Sequence, residues 1–247
     1  MTSDAGGGPE DGAAGRGGDR AEDGAGDRAD DSGWSALHGG VQPSPVVRGW
    51  LRMIWALAAG PVLRIRPDVL SALGVLTLVA GWAVTVGPGW PALTGVLVIA
   101  AGVIDGLDGA VALRTGRARP LGAVVDAVAD RLGDLVLGAI LVALGAALPW
   151  VLAALALLFV MEYLRARAQS VGMPGVGAVT VAERPTRLIL VAMAAFGTAA
   201  VPAGMPLLGW GWATALTVTW TVVGLVGMGQ LVAGVRRTIP PAFPPDR

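Results

Sequence analysis

From residue 68 onward the chain is a succession of long apolar runs separated by short breaks. Crossing the hydrocarbon core of a bilayer takes about 20 apolar residues in helical form. Runs of that kind fall near 68–88, 91–112, 121–146, 149–169, 185–204 and 209–235. Ahead of them, residues 46–59 (VVRGWLRMIWALAA) set Arg48 and Arg52 one helical turn apart. Trp50, Ile54 and Leu57 fall largely on another face, the pattern of a helix lying in the membrane interface. The predicted fold class is therefore an all-α integral membrane protein, with six transmembrane helices and an N-terminal interfacial amphipathic helix.

The breaks between runs alternate in character. Arg48, Arg52, Arg64 and Arg66 precede the first run, Arg114, Arg117 and Arg119 follow the second, and Arg165, Arg167, Arg184 and Arg187 flank the fourth break. Arg236 and Arg237 close the last run, while the intervening turns (GPGWP, ALPW, VPAGMP) are uncharged. Loops rich in arginine stay on the cytoplasmic side, so the expectation is a multi-pass protein of the cell membrane with both termini cytoplasmic. Trp90, Trp150 and Trp210 near the uncharged turns suit interfacial anchors.

Composition adds the flanks and removes several chemistries. The 247 residues are 54% hydrophobic, with a mean hydropathy of +0.65. Their formal net charge of zero conceals nine acids and three arginines in the first 31 residues. Residues 1–44, rich in Gly and Asp, cannot bury enough apolar surface to offset their ordering entropy and read as a disordered acidic tail. The division that follows is 1–44 tail, 45–63 interfacial helix, 64–237 six-helix domain and 238–247 proline-rich tail. With no cysteine and one histidine, His38, disulfides, thiolate metal sites and histidine relays are excluded. No nucleic-acid partner is expected.

Four carboxylates stand out against this background. Asp105 and Asp108 lie three apart near the end of the second run; Asp126 and Asp130 lie four apart near the start of the third. Each spacing puts a pair on one helix face, and the short loop between makes the two helices antiparallel neighbours, so all four can converge. Carboxylates near hydrocarbon are costly and repel one another. A divalent cation relieves both problems, and an oxygen-only donor set favours Mg²⁺, Mn²⁺ or Ca²⁺. Two other readings remain: neutralisation by Arg114, Arg117, Arg119 and Arg131, or an ion pathway in a transporter.

Residues 105–130 run DGLDGAVALRTGRARPLGAVVDAVAD. This resembles the signature of the CDP-alcohol phosphatidyltransferase family, D-x2-D-G-x2-A-R-x8-G-x3-D-x3-D. Asp105, Asp108, Gly109, Ala112, Gly122, Asp126 and Asp130 are in register. Leu113 stands where the family has arginine, and Arg114 follows it. RPDVLS (66–71) resembles the family's opening of the first helix. EYLRARAQSVGMP (162–174) and AERPTR (182–187) resemble the acceptor side of its phosphatidylinositol-phosphate synthases, with Glu162 and Arg165 at that group's serine and lysine positions.

The resemblance implies a metal-dependent transferase of phospholipid biosynthesis. It would move a phosphatidyl group from a CDP-activated lipid such as CDP-diacylglycerol to an acceptor hydroxyl, releasing CMP. Asp105, Asp108, Asp126 and Asp130 would hold two Mg²⁺ or Mn²⁺ ions, and Asp130 would be the catalytic base. Asp68, Ser71, Gly109, Ala112, Arg114 and Gly122 would line the nucleotide, with Asp134 supporting. Arg165, Arg167, Arg184 and Arg187 would grip an acceptor phosphate, and the acid at position 162 weighs against inositol phosphate itself. By the same resemblance the acceptor would be a polyol or polyol phosphate, and the protein a homodimer in the bilayer. The alternatives are a catalytically weakened member with a structural role, motivated by Leu113, and a membrane transporter that uses the aspartate cluster.

Overall fold

The computed structural model describes residues 45–239 except 174, 176–179 and 207, with side chains from residue 52 onward. The expected acidic tail over 1–44, the chain from residue 240, and the side chains of Arg48 and Trp50 lie outside the described residues. Seven α-helices make up the rest: α1 Pro45–Leu57, α2 Pro67–Val86, α3 Pro91–Arg114, α4 Pro120–Ala143, α5 Leu148–Ser170, α6 Arg184–Ala200 and α7 Trp212–Thr238. A 3-10 turn, Gly60–Arg64, joins α1 to α2. No strand occurs among the described residues.

Proline places most of these starts. Helices α2 to α6 each carry it at the first or second position, where its missing N–H and fixed φ cost nothing. The ends differ slightly from the sequence expectation. α6 stops at Ala200 rather than near 204, because Pro202 cannot continue a helix. The interfacial segment expected over 45–63 is α-helical only to Leu57; beyond it Gly60, at φ +59°, and Pro61 lead the chain into the 3-10 turn.

By length and composition, α2, α3, α5 and α7 are apolar enough to cross a membrane. Helix α4 is as long as α3 but carries Asp126, Asp130, Arg131 and Asp134. Helix α6 has only 17 residues, roughly 25 Å at 1.5 Å per residue.

Helix α2 packs against α3 and α4, α6 against α3 and α7, and α5 against α7. Leu78, Val98, Leu137, Ile140, Val151, Leu158, Val191 and Trp220 fill the centre. Large apolar side chains also cover the outside, among them Leu76, Val96, Leu121, Leu152 and Leu225. Such a surface suits lipid tails, against which close packing and small residues hold helices together. Gly102, for example, leaves room for Leu188 of α6: a methyl there would lie 3.0 Å from its Cδ1.

The loop 115–119 returns the chain from α3 to α4. Gly116 at φ +63° makes the turn, a backbone shape that glycine adopts without strain. The C-terminal half of α3 and the N-terminal half of α4 therefore meet at one end of the bundle. Helix α1 docks there too, with Ile54 and Ala58 buried against Leu107, Ala110 and Val111.

Candidate active site

At this end of the bundle Asp105, Asp108 and Asp126 each direct a carboxylate oxygen to a common point, the three oxygens lying within 4.8 Å of one another. Asp108 is buried and the other two are half-buried. Ser71 of α2 donates its hydroxyl to Asp108 Oδ2 at 2.5 Å, fixing that carboxylate from the neighbouring helix. Among the described residues no arginine pairs with Asp108 or Asp126. Three converging carboxylates, two of them without a cationic partner, fit a hard divalent ion bound through oxygen.

Asp130, one turn further along α4, lies outside this close set. Its Oδ1 meets Arg184 Nη1 at 2.5 Å and its Oδ2 meets Arg131 Nη2 at 3.4 Å. Arg184 also reaches Asp105 Oδ2 through Nε, at 3.1 Å. One guanidinium thus ties α3 and α4 together from the first turn of α6. Gly133 makes room for it: a Cβ there would lie 3.2 Å from Arg184 Nη2.

The residues expected around a nucleotide divide into two groups. Gly109 is exposed beside buried Asp108, with open space where a Cβ would stand, so backbone can be approached closely there. Asp68 pairs with Arg119, and Gly122 packs against that pair: a Cβ on it would sit 3.3 Å from Arg119 Cγ and 3.7 Å from Asp68 Oδ1. Ala112 is half-buried on α3. Arg114, by contrast, turns to α1. Its Nη1 donates to the Ala58 carbonyl at 2.7 Å, and its guanidinium stacks 4.6 Å from the centroid of Trp55. Leu113 is 42% exposed.

The four arginines expected on the acceptor side do not share one arrangement. Arg165 donates through Nη1 to Glu162 and through Nη2 to Glu183, both at 3.2 Å. Glu183 Oε1 is held in turn by the N–H and hydroxyl of Thr180. Arg187 is buried, paired with fully buried Asp134 at 3.1 Å and donating to the Ala182 carbonyl. Arg184 occupies the aspartates described above. Arg167 is exposed and hydrogen-bonds Ser170.

The sequence offered Arg131 only as one of four arginines that could neutralise the carboxylates; it links Asp130, Asp134 and, at 3.0 Å, Glu162. Its position directly after Asp130 and one turn from Asp134 was the available signal. The pairing with Glu162 of α5 crosses 31 residues and leaves no local trace.

Comparison with known proteins follows from this geometry. A family model described as CDP-alcohol phosphatidyltransferase matches residues 64–228. The phosphatidylinositol phosphate synthase of Mycobacterium tuberculosis (strain ATCC 25618 / H37Rv) is 36% identical over 159 residues, 60% of this chain and 66% of that protein. The match thus spans just under two thirds of that relative's length. The archaetidylinositol phosphate synthase of Pyrococcus horikoshii is 33% identical over 137 residues, covering 53% of this chain and 70% of the relative. Among solved structures, the M. tuberculosis phosphatidylinositol phosphate synthase in complex with manganese and citrate superposes with a TM-score of 0.57 at 28% identity, over 82% of this chain and 91% of that one. The same enzyme with CDP-DAG bound gives 0.55 at 28% identity, over 76% and 94%.

Proposed function

Because the chain belongs to the CDP-alcohol phosphatidyltransferase family, we propose that it transfers a phosphatidyl or related phospho-alcohol group from a CDP-activated lipid to an acceptor hydroxyl, releasing CMP. The observation that carries this reading is the convergence of Asp105, Asp108 and Asp126 on one point, within the matched region and beside an exposed, side-chain-free Gly109. Two divalent ions, Mg²⁺ or Mn²⁺, would neutralise the donor diphosphate and the charge on departing CMP.

The chain's own residues do the rest. Asp105, Asp108 and Asp126 would hold the ions, and Ser71 fixes the rotamer of Asp108. The donor nucleotide lies along Gly109 and Ala112, with Asp68 and Gly122 at its edge. Asp130 accepts the proton of the acceptor hydroxyl as that oxygen bonds to the lipid-bearing phosphorus. The bond from that phosphorus to the CMP oxygen breaks, and CMP leaves with the electron pair. Arg184, against Asp130 and Asp105, aligns the base with the ion site. Arg165 and Arg187 belong to the wall on the acceptor side, with Arg167 at its rim.

In the same reading all six helices α2–α7 cross the cell membrane, with both termini cytoplasmic. The support for α4 is its two-faced character: the acids point inward while Leu121, Val124, Val128, Leu132 and Leu135 line the exposed face. Helix α1 lies at the interface, Ile54 inward and Arg52 and Leu57 outward. The apolar face of α4 also supports a homodimer. One observation favours a second reading, a member of low turnover: Leu113 leaves the family's arginine position without a charge, and Arg114 is committed to α1.

The test is CMP release by purified protein from CDP-diacylglycerol with alcohol acceptors, with and without Mg²⁺ or Mn²⁺. Ion-dependent release that Asp130→Asn abolishes is the expected result. Retained CDP-lipid binding without release would favour the low-turnover reading, and loss of both would overturn the transferase.

A further inference from the structure

Apart from exposed Arg167 at the rim, which hydrogen-bonds Ser170, the described side of the site facing α5 and α6 carries equal numbers of carboxylates and guanidiniums. Asp130, Asp134, Glu162 and Glu183 are paired with Arg131, Arg165, Arg184 and Arg187 at distances of 2.5 to 3.4 Å. Gripping a phosphate takes guanidinium N–H groups that are not already committed. Both terminal nitrogens of Arg165 are committed to carboxylates, and one of those, on Glu183, is itself fixed by two further hydrogen bonds from Thr180. Arg187 is 3% exposed and closed in by Asp134 and the Ala182 carbonyl. Arg131 spends its Nη1 on Glu162.

Glu162 is the pivot. Its two oxygens separately engage Arg131 of α4 and Arg165 of α5, and its side chain keeps 27% of its exposure. Seating a phosphate on Arg165 would place it against this carboxylate, a like-charge contact that costs more as water is excluded. An ammonium group fares no better, since both glutamates are already neutralised. Matched ion pairs with partly exposed oxygens and nitrogens suit a ligand that donates and accepts many hydrogen bonds without charge, which describes a polyol.

We infer that the acceptor is an uncharged polyol rather than a polyol phosphate, and that Glu162 sets this preference by neutralising Arg165 and Arg131. The inference rests on the transferase reading above and names its substrate class. It parts company with the mycobacterial and archaeal relatives, whose names are those of phosphatidylinositol phosphate and archaetidylinositol phosphate synthases.

Matched acceptor pairs test it: inositol against inositol 1-phosphate, and glycerol against glycerol 3-phosphate, each followed by CMP release from CDP-diacylglycerol. Wild-type kcat/KM for the uncharged member should exceed that for its phosphate by at least about tenfold. Glu162→Ser, which releases Nη1 of Arg165 and Nη1 of Arg131, should move that ratio toward the phosphate by about tenfold or more. Wild-type preference for either phosphorylated member overturns the inference and leaves the transferase reading standing. A ratio unmoved in folded Glu162→Ser overturns the role given to Glu162. Absence of release with all four acceptors overturns this inference, and, where CDP-lipid binding is lost as well, the transferase reading with it. The wild-type comparison decides even where the variant fails to fold.

Discussion

Ser71 on α2 hydrogen-bonds Asp108 on α3 at 2.5 Å, and both groups are buried. A hydroxyl at this place orients an oxygen ligand and occupies one of its lone pairs. Ser71→Ala should weaken the apparent affinity for Mn²⁺ by about 10- to 100-fold, the usual effect of removing a supporting partner. Turnover should recover at high ion concentration. Titration of CMP release against Mn²⁺ checks this, and a fall in kcat that no ion concentration restores would contradict it.

Arg184 lies between Asp105 and Asp130, so a cation arriving at the carboxylates competes with a guanidinium already there. Removing that competitor should tighten ion binding. Arg184→Gln is expected to bind Mn²⁺ about tenfold more tightly, equivalent to ~1.4 kcal/mol. Its turnover should be lower, because the base loses its alignment. Calorimetric titration of Mn²⁺ with no donor present isolates the first effect, and weaker binding would refute it.

Asp134 is fully buried and Arg187 nearly so, and each has the other as a partner. Breaking a buried pair from one side costs about 3–5 kcal/mol where the remaining charge is stranded, as Arg187 is without Asp134; without Arg187, Asp134 keeps Arg131 at 3.4 Å and the loss is smaller. Asp134→Leu should lower the thermal unfolding midpoint in detergent markedly, and Arg187→Met should lower it by less. The double substitution should recover much of the loss, since neither charge then remains. Additive losses in the double variant would show that the two residues act separately.

Arg114 holds α1 by one hydrogen bond to Ala58 and by stacking on Trp55. Together these contribute about 1–2 kcal/mol. Arg114→Ala should raise protease sensitivity and amide exchange in residues 52–66, with slower or smaller changes in the α2–α7 bundle. Unchanged protection in that segment would mean that burial of Ile54 and Ala58 alone secures the helix.

The long apolar runs announced most of the helices, because a segment that must satisfy its own backbone in lipid declares itself by length. The two carboxylate pairs were legible for a similarly local reason: spacings of three and four fix a face before any tertiary contact is known. The partners of those acids were not. Arg184 stands 54 residues beyond Asp130, and its arginine-rich surroundings served equally well for topology or for a phosphate. Glu162 and Arg165 were visible as neighbours on α5, whereas the reach of Arg165 to Glu183 and of Arg131 to Glu162 depends on how three helices are set side by side. Arg114 misleads for a related reason. Its place next to the family's arginine position suggested the nucleotide, but helical rotation of about 100° per residue delivers it to Trp55 instead.

That last contact ties the edge of the site to the front of the chain. Arg114 and Asp108 belong to one continuous helix, less than two turns apart at 3.6 residues per turn. A pull, a twist or a bulky attachment applied ahead of α1 is therefore delivered through a stiff rod to a carboxylate of the site. A tag or surface tether placed there is not a mechanically silent handle.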